Sequence, residues 1–188
     1  MSAAQHSTMR YEDYLAAERS AAVKHEYLRG HVWAMAGGTV EHGRLAAALI
    51  TALSVELRGR PCVVLSSDVR IRMQATDRST YSDLSVVCGK RETASDDPEG
   101  IVNPTVVVEV LSDSTEADDR GEKFAHYRTL TSLREYVLVA QRAQRIEVFR
   151  RDGDRWAYLE AGPGGTITLE SIGATLAVDE IYRDPLAT

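Results

Sequence analysis

The sequence predicts an α/β or α+β fold, a mixed central sheet flanked by helices with an added C-terminal β-hairpin, and three observations predict it. Residues 105–111 form an almost unbroken β-branched and apolar run, the mark of a strand covered on both faces. Leu45, Leu49, Ala52, Leu53 and Leu57 recur at helical spacing behind Thr39, which marks a long amphipathic helix. Strand-like and helix-like stretches follow one another without a strict β-α-β-α rhythm, so the sheet is expected to be mixed.

Residues 1–10 are expected as a flexible leader, and residues 11–188 as one domain. A chain of 188 residues with 44% hydrophobic and 27% charged residues can bury a core without staples. Tyr11 to Lys24, free of Gly and Pro, reads as a helix. A strand over Tyr27 to Met35 follows and stops at Gly37-Gly38. Thr39 is the expected N-cap of the long helix, which Gly59 and Pro61 end. Three strands come next, at Cys62 to Leu65, Asp68 to Met73 and Leu84 to Cys88. In the second, Asp68, Arg70 and Arg72 alternate with Val69, Ile71 and Met73, the pattern of a half-solvated strand.

The segment from Gly89 to Pro104 reads as a long charged loop. After the strand at 105–111, a helix is expected from about Asp118 to Leu130, with Phe124, Tyr127 and Leu130 as its packed stripe. Strands at Tyr136 to Val139 and Ile146 to Phe149 follow, the latter paired through Asp152-Gly153 with Trp156 to Leu159. A hairpin-like segment around Gly162 to Gly165 and a turn near Asp179 to Tyr182 complete the chain.

Acidic residues outnumber basic ones 28 to 22, a formal net charge of −6, so no global positive field draws polyanions and any nucleic-acid site must be local. Cys62 and Cys88 lie in apolar runs outside any metal-binding spacing, which suggests reduced cysteines and a cytoplasmic protein. No apolar stretch is long enough to span a membrane. Trp33 and Trp156 read as core or interface residues rather than base-stacking platforms.

Glu109 is the most informative residue. An ionised carboxylate inside Val106-Val107-Val108-Glu109-Val110-Leu111 is costly unless a cation or hydrogen bonds compensate it. Asp83 stands at the mouth of the preceding strand, and two adjacent carboxylates repel unless a hard ion such as Mg²⁺ or Mn²⁺ lies between them. Asp119, Lys123 and Tyr127 fall at i, i+4 and i+8 on the following helix. There Lys123 can reach back over the strand, orient a nucleophile and offset charge on a transferring phosphoryl group. The competing reading is a structural carboxylate paired with Arg70 or Arg72.

The order Glu26, His42 at the start of a long helix, Asp83, Asn103-Pro104, Glu109-Val110-Leu111-Ser112, then Asp119-Arg120-Gly121-Glu122-Lys123-Phe124 and Tyr127 resembles the Uma family of restriction-endonuclease-like proteins. The resemblance runs from about Tyr11 to Tyr182. It implies a PD-(D/E)XK nuclease core that hydrolyses phosphodiester bonds of nucleic acid, DNA being the expected partner. It makes Asp83 and Glu109 the motif carboxylates and Lys123 the motif lysine, moved from the strand, where Leu111 stands, to the next helix. It further implies Mg²⁺ or Mn²⁺ held by Asp83, Glu109 and the Val110 carbonyl. Glu26 becomes the acidic residue of an early helix that completes the site. His42, Asp119 and Tyr127 are expected beside these ligands. Ser82 replaces the proline expected before Asp83. A nuclease-fold module that binds nucleic acid or a protein without cutting is the alternative, and a homodimer through the hairpin of Trp156 is a further expectation.

Overall fold

A computed structural model describes residues 8–35 and 37–186 of the chain. Residues 1–7 of the expected leader lie outside the described residues, whereas the Met9 N–H donates to the Gly30 carbonyl at 2.9 Å. The elements run α1 (Tyr11–Glu18), β1 (His25–Leu28), β2 (His31–Ala34), α2 (Val40–Glu56), β3 (Cys62–Ser66), β4 (Arg70–Met73), β5 (Arg78–Tyr81) and β6 (Leu84–Cys88). They continue through β7 (Thr93–Ala94), β8 (Asp97–Ile101), β9 (Val106–Leu111), α3 (Glu116–Arg120), α4 (Glu122–Tyr127), β10 (Glu135–Ala140), β11 (Ile146–Asp152), β12 (Arg155–Ala161), β13 (Thr166–Leu169), β14 (Ala174–Ala177) and α5 (Val178–Tyr182). Among the described residues no helix is long and apolar enough to cross a membrane.

The strands form two six-stranded sheets rather than the one expected. The first has the order β12-β11-β10-β9-β6-β3, and the second the order β2-β1-β5-β4-β8-β7, while β13 and β14 pair alone. β9 is central in the first sheet, parallel to β10 and antiparallel to β6. Its six residues are all buried. Val106, Val108 and Val110 pack with Leu45, Leu49 and Leu53 of α2 and with the β13–β14 hairpin. Val107 and Leu111 pack on the other face with Phe124 and Tyr127. Glu109 shares that second face by strand alternation. The α2 stripe forms as expected, and Thr39 caps the helix, its hydroxyl accepting from the His42 N–H at 3.1 Å.

Several expected elements differ, each for a local reason. The first helix ends at Glu18, not Lys24, because the Glu18 carboxylate accepts from the His25 N–H at 2.9 Å and turns the chain into β1. The expected strand over Tyr27 to Met35 is a hairpin. Arg29 (φ 49) and Gly30 (φ 90) both take positive φ, the requirement of a two-residue type I′ turn. The expected loop from Gly89 to Pro104 holds β7 and β8. The expected helix over Asp118 to Leu130 is broken at Gly121 (φ −112, ψ −95), which separates α3 from α4.

β4 is buried on both sides rather than half-solvated, because Arg70 and Arg72 point at carboxylates instead of water. Arg70 forms a two-pronged pair with Asp97 at 3.0 and 2.9 Å, and Arg72 pairs with Asp77 and Asp96. The cysteines are not free. Cys62 and Cys88 face each other in the β3–β6 register with Cα atoms 4.0 Å apart and form a disulfide, a pairing that two residues far apart in sequence do not announce.

Candidate active site

The site lies where β6, β9, α4 and the second sheet meet, around a cavity of about 580 Å³. The register of β6 against β9, Leu84 opposite Val108, sets Asp83 opposite Glu109. Asp83 is held by two groups. Its Oδ2 accepts from the Val110 N–H at 2.6 Å, and its Oδ1 lies 3.2 Å from His42 Nε2 in the first turn of α2. Glu109, 3% exposed, receives the Tyr127 hydroxyl on Oε1 at 3.0 Å, with the Lys123 ammonium 3.0 Å from the same oxygen. The competing pairing with Arg70 or Arg72 is therefore replaced by a lysine.

Lys123 is the hub. Its Nζ stands 3.3 Å from Asp119 Oδ1 and 3.7 Å from Glu26 Oε1, and it donates to the Tyr81 carbonyl at 3.4 Å. The i, i+4 spacing of Asp119 and Lys123 survives the break at Gly121. Glu26 does reach the site, but from strand β1 rather than from a helix. Its Oε1 accepts from the Thr80 hydroxyl at 2.6 Å and its Oε2 from Arg78 Nη2 at 3.1 Å. Arg78, 1% exposed, also donates to Asp118 Oδ2 at 3.1 Å. The sequence reading missed Arg78 because Arg78-Ser79-Thr80-Tyr81 lacks the apolar alternation that marks a strand.

Electrostatics follow from this packing. Burial penalises the Lys123 ammonium, yet the surrounding charges of Glu109, Glu26 and Asp119 outweigh it and hold the lysine protonated. Burial pushes the Glu109 carboxyl well above its ordinary range; Lys123 opposes that shift, and the like charges of Asp119 and Asp83 add to it. Asp119 is raised for the same leading reason. Glu109 and Asp119 thus share one ammonium, which offsets only part of the cost of burial, so both acid values stay raised.

The hydrogen bond to Asp83 raises His42 above the usual 6.5, against the effect of burial. His42 is therefore expected to stay protonated to higher pH than a free imidazole. Its contribution is complete below the unfolded value and is lost as pH rises through the folded one. Following the imidazole by NMR titration checks this, and Asp83→Asn should bring His42 back down.

The donor chemistry fits a hard divalent cation, since Asp83, Glu109, Asp119 and Glu26 bring carboxylate oxygens to one cavity. Among the described residues, however, no three His, Cys, Asp or Glu side chains are already drawn together as ligands. Lys123 stands between Glu109 and Asp119 instead.

A family model described as "Uma2: Putative restriction endonuclease" matches residues 11–179. The chain belongs to the Uma2 family. Two Synechocystis proteins are similar to it. One, "Uncharacterized protein slr1290", is 39% identical over 174 residues, covering 92% of this chain and 90% of that one. The other, "Uncharacterized protein sll1609", is 32% identical over 149 residues, covering 79% and 84%. Among solved structures, a "putative nuclease belonging to DUF820" from Anabaena variabilis shares the fold with a TM-score of 0.73 at 15% identity, over 91% of this chain and 96% of that one. The Uma2 chain thus has a nuclease-like mixed α+β fold, and its acidic cavity is built by residues from both sheets.

Proposed function

We propose that this Uma2 protein is a Mg²⁺- or Mn²⁺-dependent endonuclease that hydrolyses phosphodiester bonds of nucleic acid, with DNA as the substrate. The observation that carries the reading is the Lys123 ammonium, 3.0 Å from Glu109, in the cavity that also holds Asp83. A strand interior has no packing use for a carboxylate at position 109; a polar reaction does.

Asp83 and Glu109, with the Val110 carbonyl, are the residues that would hold the ion, and Asp119 and Glu26 supply further negative charge. The bound ion would lower the pKa of a water and polarise a phosphodiester oxygen. The chain's own groups do the rest. Lys123 offsets negative charge gathering on the phosphoryl oxygens. Tyr127 fixes the Glu109 carboxylate through its hydroxyl, and His42 together with the Val110 N–H fixes Asp83. A homodimer through the β11–β12 hairpin belongs to the same proposal.

The second reading, a nuclease-fold module that binds without cutting, is favoured by Lys123 already filling the space between Glu109 and Asp119. One assay separates the two. Purified protein with Mg²⁺ or Mn²⁺ is expected to cut DNA, and Glu109→Gln, which keeps shape and hydrogen bonding, should slow cleavage by at least about a hundredfold. Tight binding of DNA and RNA with no cleavage at saturating Mn²⁺ would establish the non-catalytic module instead.

A further inference from the structure

Trp33 is not the core residue that the sequence offered as one of its two readings. It lies on β2, the edge strand of the second sheet, and keeps 40% of its surface exposed. A tryptophan is the costliest side chain to leave in water. Its position is specific: Trp33 is the direct cross-strand partner of Glu26, so both leave the sheet on the same face. That face turns toward the cavity, where Trp33 forms part of the rim. The Arg78 guanidinium lies 5.9 Å from the indole centroid, and Arg78 Nε is buried without a hydrogen-bond partner. An aromatic face, a guanidinium and the Glu109–Lys123 pair therefore lie in one continuous wall.

Depth decides what can reach that pair. Glu109 and Lys123 are 3% and 6% exposed at the inner end of a cavity whose volume suits a small ligand rather than a rod. Reacting atoms recessed in this way are reached by a nucleotide taken out of the stack, not by a phosphate on the flank of an intact duplex. Base stacking on an aromatic side chain is tolerant of sequence because every base has a π-face.

We propose that the cavity accepts a single unpaired nucleotide, its base stacked on Trp33 and its phosphodiester directed to Lys123, so that the substrate class is single-stranded nucleic acid. The inference rests on the nuclease reading above and narrows it. Arg78, 5.9 Å from the Trp33 indole centroid, adds a second positive charge beside Lys123 to a wall that is rich in carboxylates.

The test is fluorescence-anisotropy binding of a labelled 15-nucleotide DNA without self-complementarity, and of its blunt duplex, in the Glu109→Gln background with Mg²⁺ present. The single strand is expected to bind the more tightly. Adding Trp33→Ala should weaken that binding about tenfold or more, and Trp33→Phe should restore most of it, with duplex binding unmoved by either change. Because Trp33 is 40% exposed on an edge strand, both variants should stay folded at the assay temperature, which thermal melts check. Equal binding of the two forms, or single-strand binding indifferent to Trp33→Ala, would overturn the inference and leave the nuclease reading intact. No binding of either form, together with no cleavage by the wild type, would overturn both.

Discussion

Lys123→Met is expected to remove the proposed nuclease activity and a large part of the stability together. The methionine keeps the length of the side chain and deletes its charge, leaving Glu109 and Asp119 buried with no ammonium beside them. Removing one partner of a buried ion pair costs about 3–5 kcal/mol. For a chain of this size that is on the order of 10 °C in Tm. The deficit should depend on pH in a defined sense. Glu109 and Asp119 are already raised on folding, and losing the ammonium raises them further. A carboxylate raised on folding carries no penalty where it is protonated in both states, and the penalty grows as pH climbs past the unfolded value of about 4. Thermal melts should therefore bring variant and wild type closest near pH 4 and separate them most at neutral pH. A pH-independent gap would mean that packing, not charge, is what the lysine supplies.

Arg70→Met should destabilise the protein by a similar amount, about 3–5 kcal/mol, from outside the cavity lining, which Arg70 meets through its hydrogen bond to the Tyr81 hydroxyl at 3.2 Å. Asp97 is 1% exposed and takes both prongs of Arg70 as well as the Tyr11 hydroxyl at 2.9 Å. Burial alone would raise its acid value, but the hydrogen bonds and charge of Arg70, aided by Tyr11, bring it below the ordinary carboxylate range. The stabilisation is therefore complete above the unfolded value near 4 and is lost as pH falls through the lower folded value. The double variant Arg70→Met/Asp97→Asn should recover part of the loss, since it removes the stranded charge. Urea unfolding of the three proteins measures both effects. Any nuclease activity should survive in whatever fraction remains folded, which separates this pair from Lys123.

The elements that the sequence reveals are those whose reasons are local. The α2 stripe, its Thr39 cap and the β9 run each follow from short-range pattern, and the structure places them where the pattern does. The second sheet escapes that reading because its strands are short and polar. Arg70, Arg72, Arg78 and Thr80 are buried through partners that lie 24 to 54 residues away, and periodicity carries no trace of such pairings. The same reason explains Glu26. Its acidity is legible, but its strand is set by the Arg29-Gly30 turn, where a non-glycine residue takes positive φ. Glu109 was legible because a carboxylate breaks an otherwise apolar run; Arg78 was not, because nothing apolar surrounds it in sequence. The disulfide depends on β3–β6 register, which spacing alone does not encode.

The division of the cavity between two sheets has a consequence for how the molecule comes into being. Glu26 arrives on β1, near the start of the chain, while Glu109 and Lys123 arrive on β9 and α4, well past its midpoint. Ribosomal synthesis delivers Glu26 long before Glu109, Asp119 and their shared cation. A nascent or truncated polypeptide holds no assembled cluster, which forms only once distant parts of the chain have docked.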